Sequence, residues 1–207
     1  MRNNHWYAVR SQSLAIYARN AGFDLAVYHD YSDGAKEELR KRAVNEALDA
    51  IYLACNEQGF DVYSVKRGVY VIALSNPLSV RYSKYRSQVI YIGMGNIMGR
   101  IKLHFSNRLF DFMLSVAGAN FDFHFARPAL PGTAMYYKQV EHNMLKYFHD
   151  QYGGLYEKRR YPILNRNAGI NMKYPGGTDW WKRPLKASGR RPLWELTPTK
   201  FGDFPPL

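Results

Sequence analysis

A chain of 207 residues, 46% of them hydrophobic, is long enough to bury a real core and too apolar to remain disordered. Its one cysteine, Cys55, excludes an intrachain disulfide and a cysteine-rich zinc centre, and no apolar run is long enough to span a bilayer. The net charge of +12, from 29 Lys and Arg against 17 Asp and Glu, favours an anionic partner, of which a phosphate backbone is the commonest. Met1-Arg2-Asn3-Asn4 leads into no signal-peptide core, so the expected setting is the reducing cytoplasm, with no membrane partner.

Residues 1–31 carry aromatics without a sustained period, and no element is assigned there. From Ala35 to Gln58 the apolar set Leu39, Ala43, Val44, Ala47, Leu48, Ile51 and Cys55 follows helical spacing. Ser32-Asp33 offers the N-cap, Glu37 and Glu38 suit the positive helix start, and Gly59 suits the stop. Val62 to Leu74 and Val89 to Gly93 are rich in β-branched and aromatic residues and predict two strands. Asn76-Pro77 breaks the first, and a long basic loop containing Arg81-Tyr82-Ser83-Lys84-Tyr85-Arg86 joins them.

Asn96 is the expected N-cap of a helix over Ile97 to Arg108 that buries Ile97, Ile101, Phe105 and Leu109. Arg100 and His104, four apart, share one flank of it. Phe121-Asp122-Phe123-His124-Phe125 alternates like a strand, and a further helix runs from Met135 to Gln151 before Gly153-Gly154. The segment from Gly169 onward is rich in Gly, Pro, Trp and basic residues with no period.

Helix geometry singles out Glu141. Tyr137 and Leu145 lie about 40° to either side of it and Phe148 within about 20°, whereas Gln139, Asn143, Lys146 and Asp150 take the far side. A carboxylate in the centre of an apolar stripe must be paired, hydrogen-bonded, metal-bound or protonated. A salt bridge to a buried arginine and a metal site are both open at this point. Elsewhere, 17 tyrosines often stand beside cations, as in residues 81–86 and in Tyr156-Glu157-Lys158-Arg159-Arg160-Tyr161. Such interleaving suits stacking on bases and gripping phosphates, so Arg81, Lys84, Arg86, Arg159 and Arg160 are candidate nucleic-acid contacts. Trp180-Trp181-Lys182-Arg183 and Arg190-Arg191-Pro192-Leu193-Trp194 either clasp nucleic acid or pack on the body.

Gly68-Val69-Tyr70 and Tyr91-Ile92-Gly93 sit on the two strand-like runs and are followed in order by Arg100, Glu141 and Asn165. This series resembles the GIY-YIG nuclease superfamily. The resemblance implies an α+β fold, a small mostly antiparallel sheet flanked by helices. Residues 63–168 would form this catalytic core, 1–62 an N-terminal helical extension packed on it, and 169–207 a basic, aromatic tail. It further implies a metal-dependent endonuclease that hydrolyses DNA. Tyr70 would act as the base and Tyr91 would support the site and contact the phosphate. Arg100 would stabilise the phosphate charge and His104 would assist. Glu141 would bind Mg²⁺, with Mn²⁺ as the substitute, and Asn165 would brace the site, Asn167 being the alternative register. The two tyrosine motifs are 20 residues apart, 91 − 70 − 1, and the layout is closest to the restriction endonucleases of the superfamily. A homodimer is compatible with it. A non-catalytic nucleic-acid-binding protein on the same scaffold and an RNA endonuclease are the alternatives.

Overall fold

Three of the runs rich in β-branched and aromatic residues, and one N-terminal run with no period, pair into a four-stranded sheet. The computed structural model describes residues 1–116, 118–154, 162–165, 178–186 and 194–197. In chain order the strands are β1 (Trp6–Ser13), β2 (Gly68–Leu74), β3 (Leu78–Arg81), β4 (Arg86–Ser87), β5 (Val89–Gly95), β6 (Asn120–Ala126) and β7 (Trp194–Leu196). The helices are α1 (Leu14–Asn20), α2 (Asp33–Glu57), α3 (Ile97–His104), α4 (Phe110–Ser115) and α5 (Tyr136–Tyr152). The fold is α+β: an antiparallel sheet in the order β1-β6-β2-β5, and a small mixed sheet in the order β4-β3-β7.

Register sets what each face of the large sheet carries. Tyr70 stands opposite both Phe125 and Gly93, Ile72 opposite Phe123 and Tyr91, and Leu74 opposite Phe121. Because side chains alternate along a strand, these residues share one face, and His124 and Asp122 belong to the other. The phenylalanines of β6, with Tyr70, Ile72 and Leu74, are buried in one continuous core.

Burial along α2 follows the expected stripe, with Ala43, Val44, Ala47, Leu48, Ile51 and Cys55 all inside. Ser32 Oγ caps it by accepting from the Ala35 amide. The N-terminal segment supplies a strand as well as helices. Its alternation is hidden because β1 shifts register between Val9 and Gln12, where Ser11 takes a φ of +56°. Residues 62–64 form a short 3₁₀ turn rather than the start of a strand, and Asp61 accepts from the Tyr63 amide there. The stretch between the tyrosine motifs folds back as β3 and β4.

The helix expected to stop at Arg108 continues into α4 through a π-turn at Phe105–Leu109. Its buried residues Ile97, Ile101, Phe105, Leu109 and Met113 recur every fourth position. In a regular α-helix each such step drifts about 40°, so Met113 would end roughly 160° away from Ile97. One wide turn takes up part of that drift and keeps the row on the core. Helix α5 packs against β5 and β2, and the 3₁₀ segment Asp179–Leu185 packs on α5 and β1. Trp181 is buried against Tyr147, and Trp180 lies against Trp6, so this aromatic segment covers the body. Among the described residues no helix is long and apolar enough to cross a membrane.

Candidate active site

Two glycines explain why the tyrosine motifs have their form. A Cβ on Gly93 would lie 2.5 Å from Tyr70 Cζ and Oη and 2.6 Å from Tyr91 Cε1. The Tyr70 ring therefore occupies the space above Gly93, and Tyr91 stacks beside it with ring centroids 5.8 Å apart. A Cβ on Gly68 would meet Ile97 Cδ1 at 2.5 Å, so that glycine lets α3 seat on the start of β2. The strands hold the two phenols, and α3 is docked against them.

Arg100 and His104 come from the flank of α3 that the spacing predicts. Asn96 starts the helix, its side chain accepting from the Gly99 amide. His104 Nε2 and the Tyr70 hydroxyl are hydrogen-bonded at 2.8 Å, and the His104 ring centroid is 4.2 Å from that of Tyr91. Burial and the neighbouring Arg100 charge push the His104 imidazole down to about 4, so it is neutral at pH 7. The exposed Arg100 guanidinium lies over the end of β5, where a Cβ on Gly95 would be 3.7 Å from its Nε.

Glu141 reaches the same cluster from α5. It is 8% exposed, and its Oε2 accepts no hydrogen bond among the described residues. No cation lies within ion-pair distance of it among the described residues. Desolvation raises its carboxyl to about 7, partly offset by the positive field of Arg100. Burial also raises Tyr70 well above the ordinary phenol value, with Tyr91 and Glu141 adding to the rise and Arg100 opposing it. Tyr91 is raised as well, first by burial; its interaction with the Tyr70 hydroxyl and Arg100 pull the other way. Every ionisable partner of Arg100 in this cluster is thus biased toward its neutral form. The arrangement is desolvated and short of positive charge.

Asn165 holds the outer edge of β5. Its Oδ1 accepts from the Ile92 amide at 2.9 Å and its Nδ2 donates to the Ile92 carbonyl at 2.7 Å. The Leu164 amide donates to the Ile90 carbonyl beside it. Asn165, expected to brace the site, holds the strand between Tyr91 and Gly93. Asn167 lies outside the described residues.

Tyr70, Tyr91, Arg100, His104, Glu141 and Asn165 therefore converge. The candidate nucleic-acid contacts do not join them. Arg81 and Arg86 approach Glu195 at 3.9 and 3.6 Å, and Lys84 donates to the Asp150 carbonyl at the far end of α5. That end is about 14 Å along the helix from Glu141. Arg159 and Arg160 lie outside the described residues, as do Arg190 and Arg191. Sequence reasoning passed over Lys66 and Arg67, which immediately precede Gly68, and Arg127, which follows β6. With Tyr137 they line a cleft at the end of the sheet. The available signal was their adjacency to the first motif and to the strand that pairs with it.

Comparison of the chain with protein-family models, curated proteins and solved structures returned no match.

Proposed function

We propose that the chain is a metal-dependent endonuclease that hydrolyses DNA phosphodiester bonds. The observation carrying this reading is Glu141, a buried carboxylate with an unpartnered oxygen set beside two phenols, a neutral histidine and one arginine. A metal ion fits the chemistry of that site, because an unpaired carboxylate oxygen in a desolvated cluster is stabilised by a hard dication. Among the described residues no group of three or more His, Cys, Asp or Glu is placed to hold a metal. Glu141 would therefore hold Mg²⁺ or Mn²⁺ together with water and phosphate oxygens, a ligand set that Mg²⁺ favours. When bound, the ion supplies Lewis-acid stabilisation to the phosphate and its leaving oxygen.

The residues of the chain supply the rest. With its proton on Nδ1, His104 accepts from the Tyr70 hydroxyl at Nε2. As the attacking water gives a proton to the Tyr70 oxygen, the phenol proton passes to His104. The incoming phosphate is an anion, and its field raises the proton affinity of an imidazole that burial and Arg100 hold low. Arg100 presents its planar fork to the phosphate from the rim of the cluster. Tyr91, half-buried against the His104 ring, confines the phosphate to that side, and Asn165 keeps its strand in place. If the enzyme is of the restriction type, it cuts at a defined sequence and leaves discrete fragments.

The test is single-turnover cleavage by Tyr70→Phe and Arg100→Ala. Each variant should still bind duplex DNA, Arg100→Ala with one phosphate contact fewer, and cut about 10²–10³-fold more slowly, the usual loss when one transition-state contact is removed. Cutting by both variants at near the wild-type rate would refute the assignment. Binding without cutting by the wild type would point instead to a nucleic-acid-binding protein.

A further inference from the structure

Four cationic side chains meet the end of the sheet that carries the cluster. Gly95 of β5 pairs with Gly68 of β2, and β6 ends at Ala126, which pairs with Val69. Arg100 lies over Gly95, Lys66 and Arg67 lead into Gly68, and Arg127 follows Ala126. Adjacent strands are about 4.8 Å apart, so this row crosses roughly 10 Å of sheet, two residue pairs beyond Tyr70 and Gly93. Lys66, Arg67 and Arg127 line a cleft of about 500 Å³ together with Thr133 and Tyr137. Tyr137 stands one helical turn before Glu141 on the same side of α5, so the cleft is bounded by the helix face that carries the candidate metal ligand.

The electrostatics of the cleft set it apart. No acidic side chain lines it among the described residues, and none of its three cations is within ion-pair distance of a carboxylate there. All three are exposed. Among the described residues the Lys66 and Arg67 side chains donate only to the Tyr63 and Ala134 carbonyls, whereas Arg81 and Arg86 face a carboxylate, that of Glu195. A second cationic cavity, with Arg10, Arg183 and Lys186, contains Asp122 and opens on the His124 face of the sheet, opposite Tyr70. Unpaired cations with a phenol in a solvent-open cleft suit a phosphodiester backbone, which supplies repeated anions and a sugar or base face to pack on.

We propose that the cleft lined by Lys66, Arg67, Arg127 and Tyr137 carries the DNA backbone beside the phosphate that is cut. This rests on the endonuclease reading. The backbone enters across Arg127, passes Lys66 and Arg67, and presents one phosphate to Arg100 and Glu141. The row spans about three nucleotides at roughly 3.4 Å of axial rise each. Residues 81–86 then support the small sheet, and binding draws little on their charge.

The test measures affinity for a fluorescent duplex DNA at a series of salt concentrations, in EDTA so that no cutting occurs. Three proteins are compared: the full chain, the triple variant Lys66→Gln, Arg67→Gln, Arg127→Gln, and a control triple variant Arg10→Gln, Arg183→Gln, Lys186→Gln with the same change in net charge. Thermal melting confirms that each is folded, and the single variant Arg127→Gln replaces the cleft triple if that protein does not fold. The slope of log affinity against log salt should become shallower by about 0.9 for each lost phosphate contact in the cleft variant, and should change little in the control. Equal slopes for the cleft variant and the control would overturn the proposal while leaving the endonuclease reading intact. Failure of the wild type to bind duplex DNA at low salt would defeat the endonuclease reading itself, and the cleft assignment with it.

Discussion

With its carboxyl pushed up to about 7, Glu141 holds a proton in the folded chain over a pH range in which the unfolded chain has released it. The folded state binds more protons between the ordinary value of 4.5 and about 7, so stability falls as pH rises through that window and stays lower above it. The shift corresponds to about 3 kcal/mol. Glu141→Gln keeps the shape and discards the titration. The variant should therefore melt higher than the wild type at pH 8 without metal, and at nearly the same temperature at pH 4.5. Mg²⁺ should raise the wild-type melting temperature at pH 8 and leave the variant unmoved. Calorimetry at the two pH values checks this; a variant that melts lower at pH 8 would show that Glu141 is half of a stabilising ion pair. The position of Glu141 was legible from residue spacing, because a helical stripe fixes which side chains share a face. Its lack of a partner was not, since that depends on what other elements bring to it.

At the scale of elements, one amide side chain blunts each edge of the large sheet. Gln58 accepts from the Ala8 amide and donates to the Ala8 carbonyl on β1, as Asn165 does for Ile92 on β5. Open edges invite further strands, and these two devices discourage association through either edge. Asn165→Ala leaves two backbone groups beside Tyr91 without their partner, at a cost of about 1–3 kcal/mol. Amide exchange at Ile92 should quicken, with Ala8 unaffected; unchanged protection at Ile92 would remove the bracing role. Long elements with one pattern, such as α2, α5, β2 and β5, were readable from the sequence. Those built on an interruption were not. The register shift at Ser11 hides β1, a four-residue spacing hides the passage from α3 to α4, and β3 and β7 are too short to show a period. The mixed sheet also pairs β3 with a strand more than a hundred residues away, which no local pattern reports.

For the molecule as a whole, the net charge of +12 is not spread evenly in its effect. Some cations are spent on the protein itself, as Arg40 is on Asp111 and Phe110, and Arg86 on Glu195. Four others, Lys66, Arg67, Arg100 and Arg127, stand at the end of the sheet that also carries the phenols, the neutral histidine and the carboxylate of Glu141. On the endonuclease reading, the basic charge would draw in an anionic polymer, and the desolvated, cation-poor cluster would need a dication at one point on it. The composition carries the first expectation, and the order Tyr70, Tyr91, Arg100, Glu141 carries the second. The most direct measurement is digestion of high-molecular-weight DNA by the purified chain and by Glu141→Gln, each with Mg²⁺ and with EDTA. The wild type with Mg²⁺ should cut, while EDTA or the substitution should stop cutting in protein that is folded and still binds duplex DNA. Cutting that persists in EDTA, cutting by Glu141→Gln at the wild-type rate, or a folded wild type that leaves DNA intact with Mg²⁺ or Mn²⁺ would contradict the account.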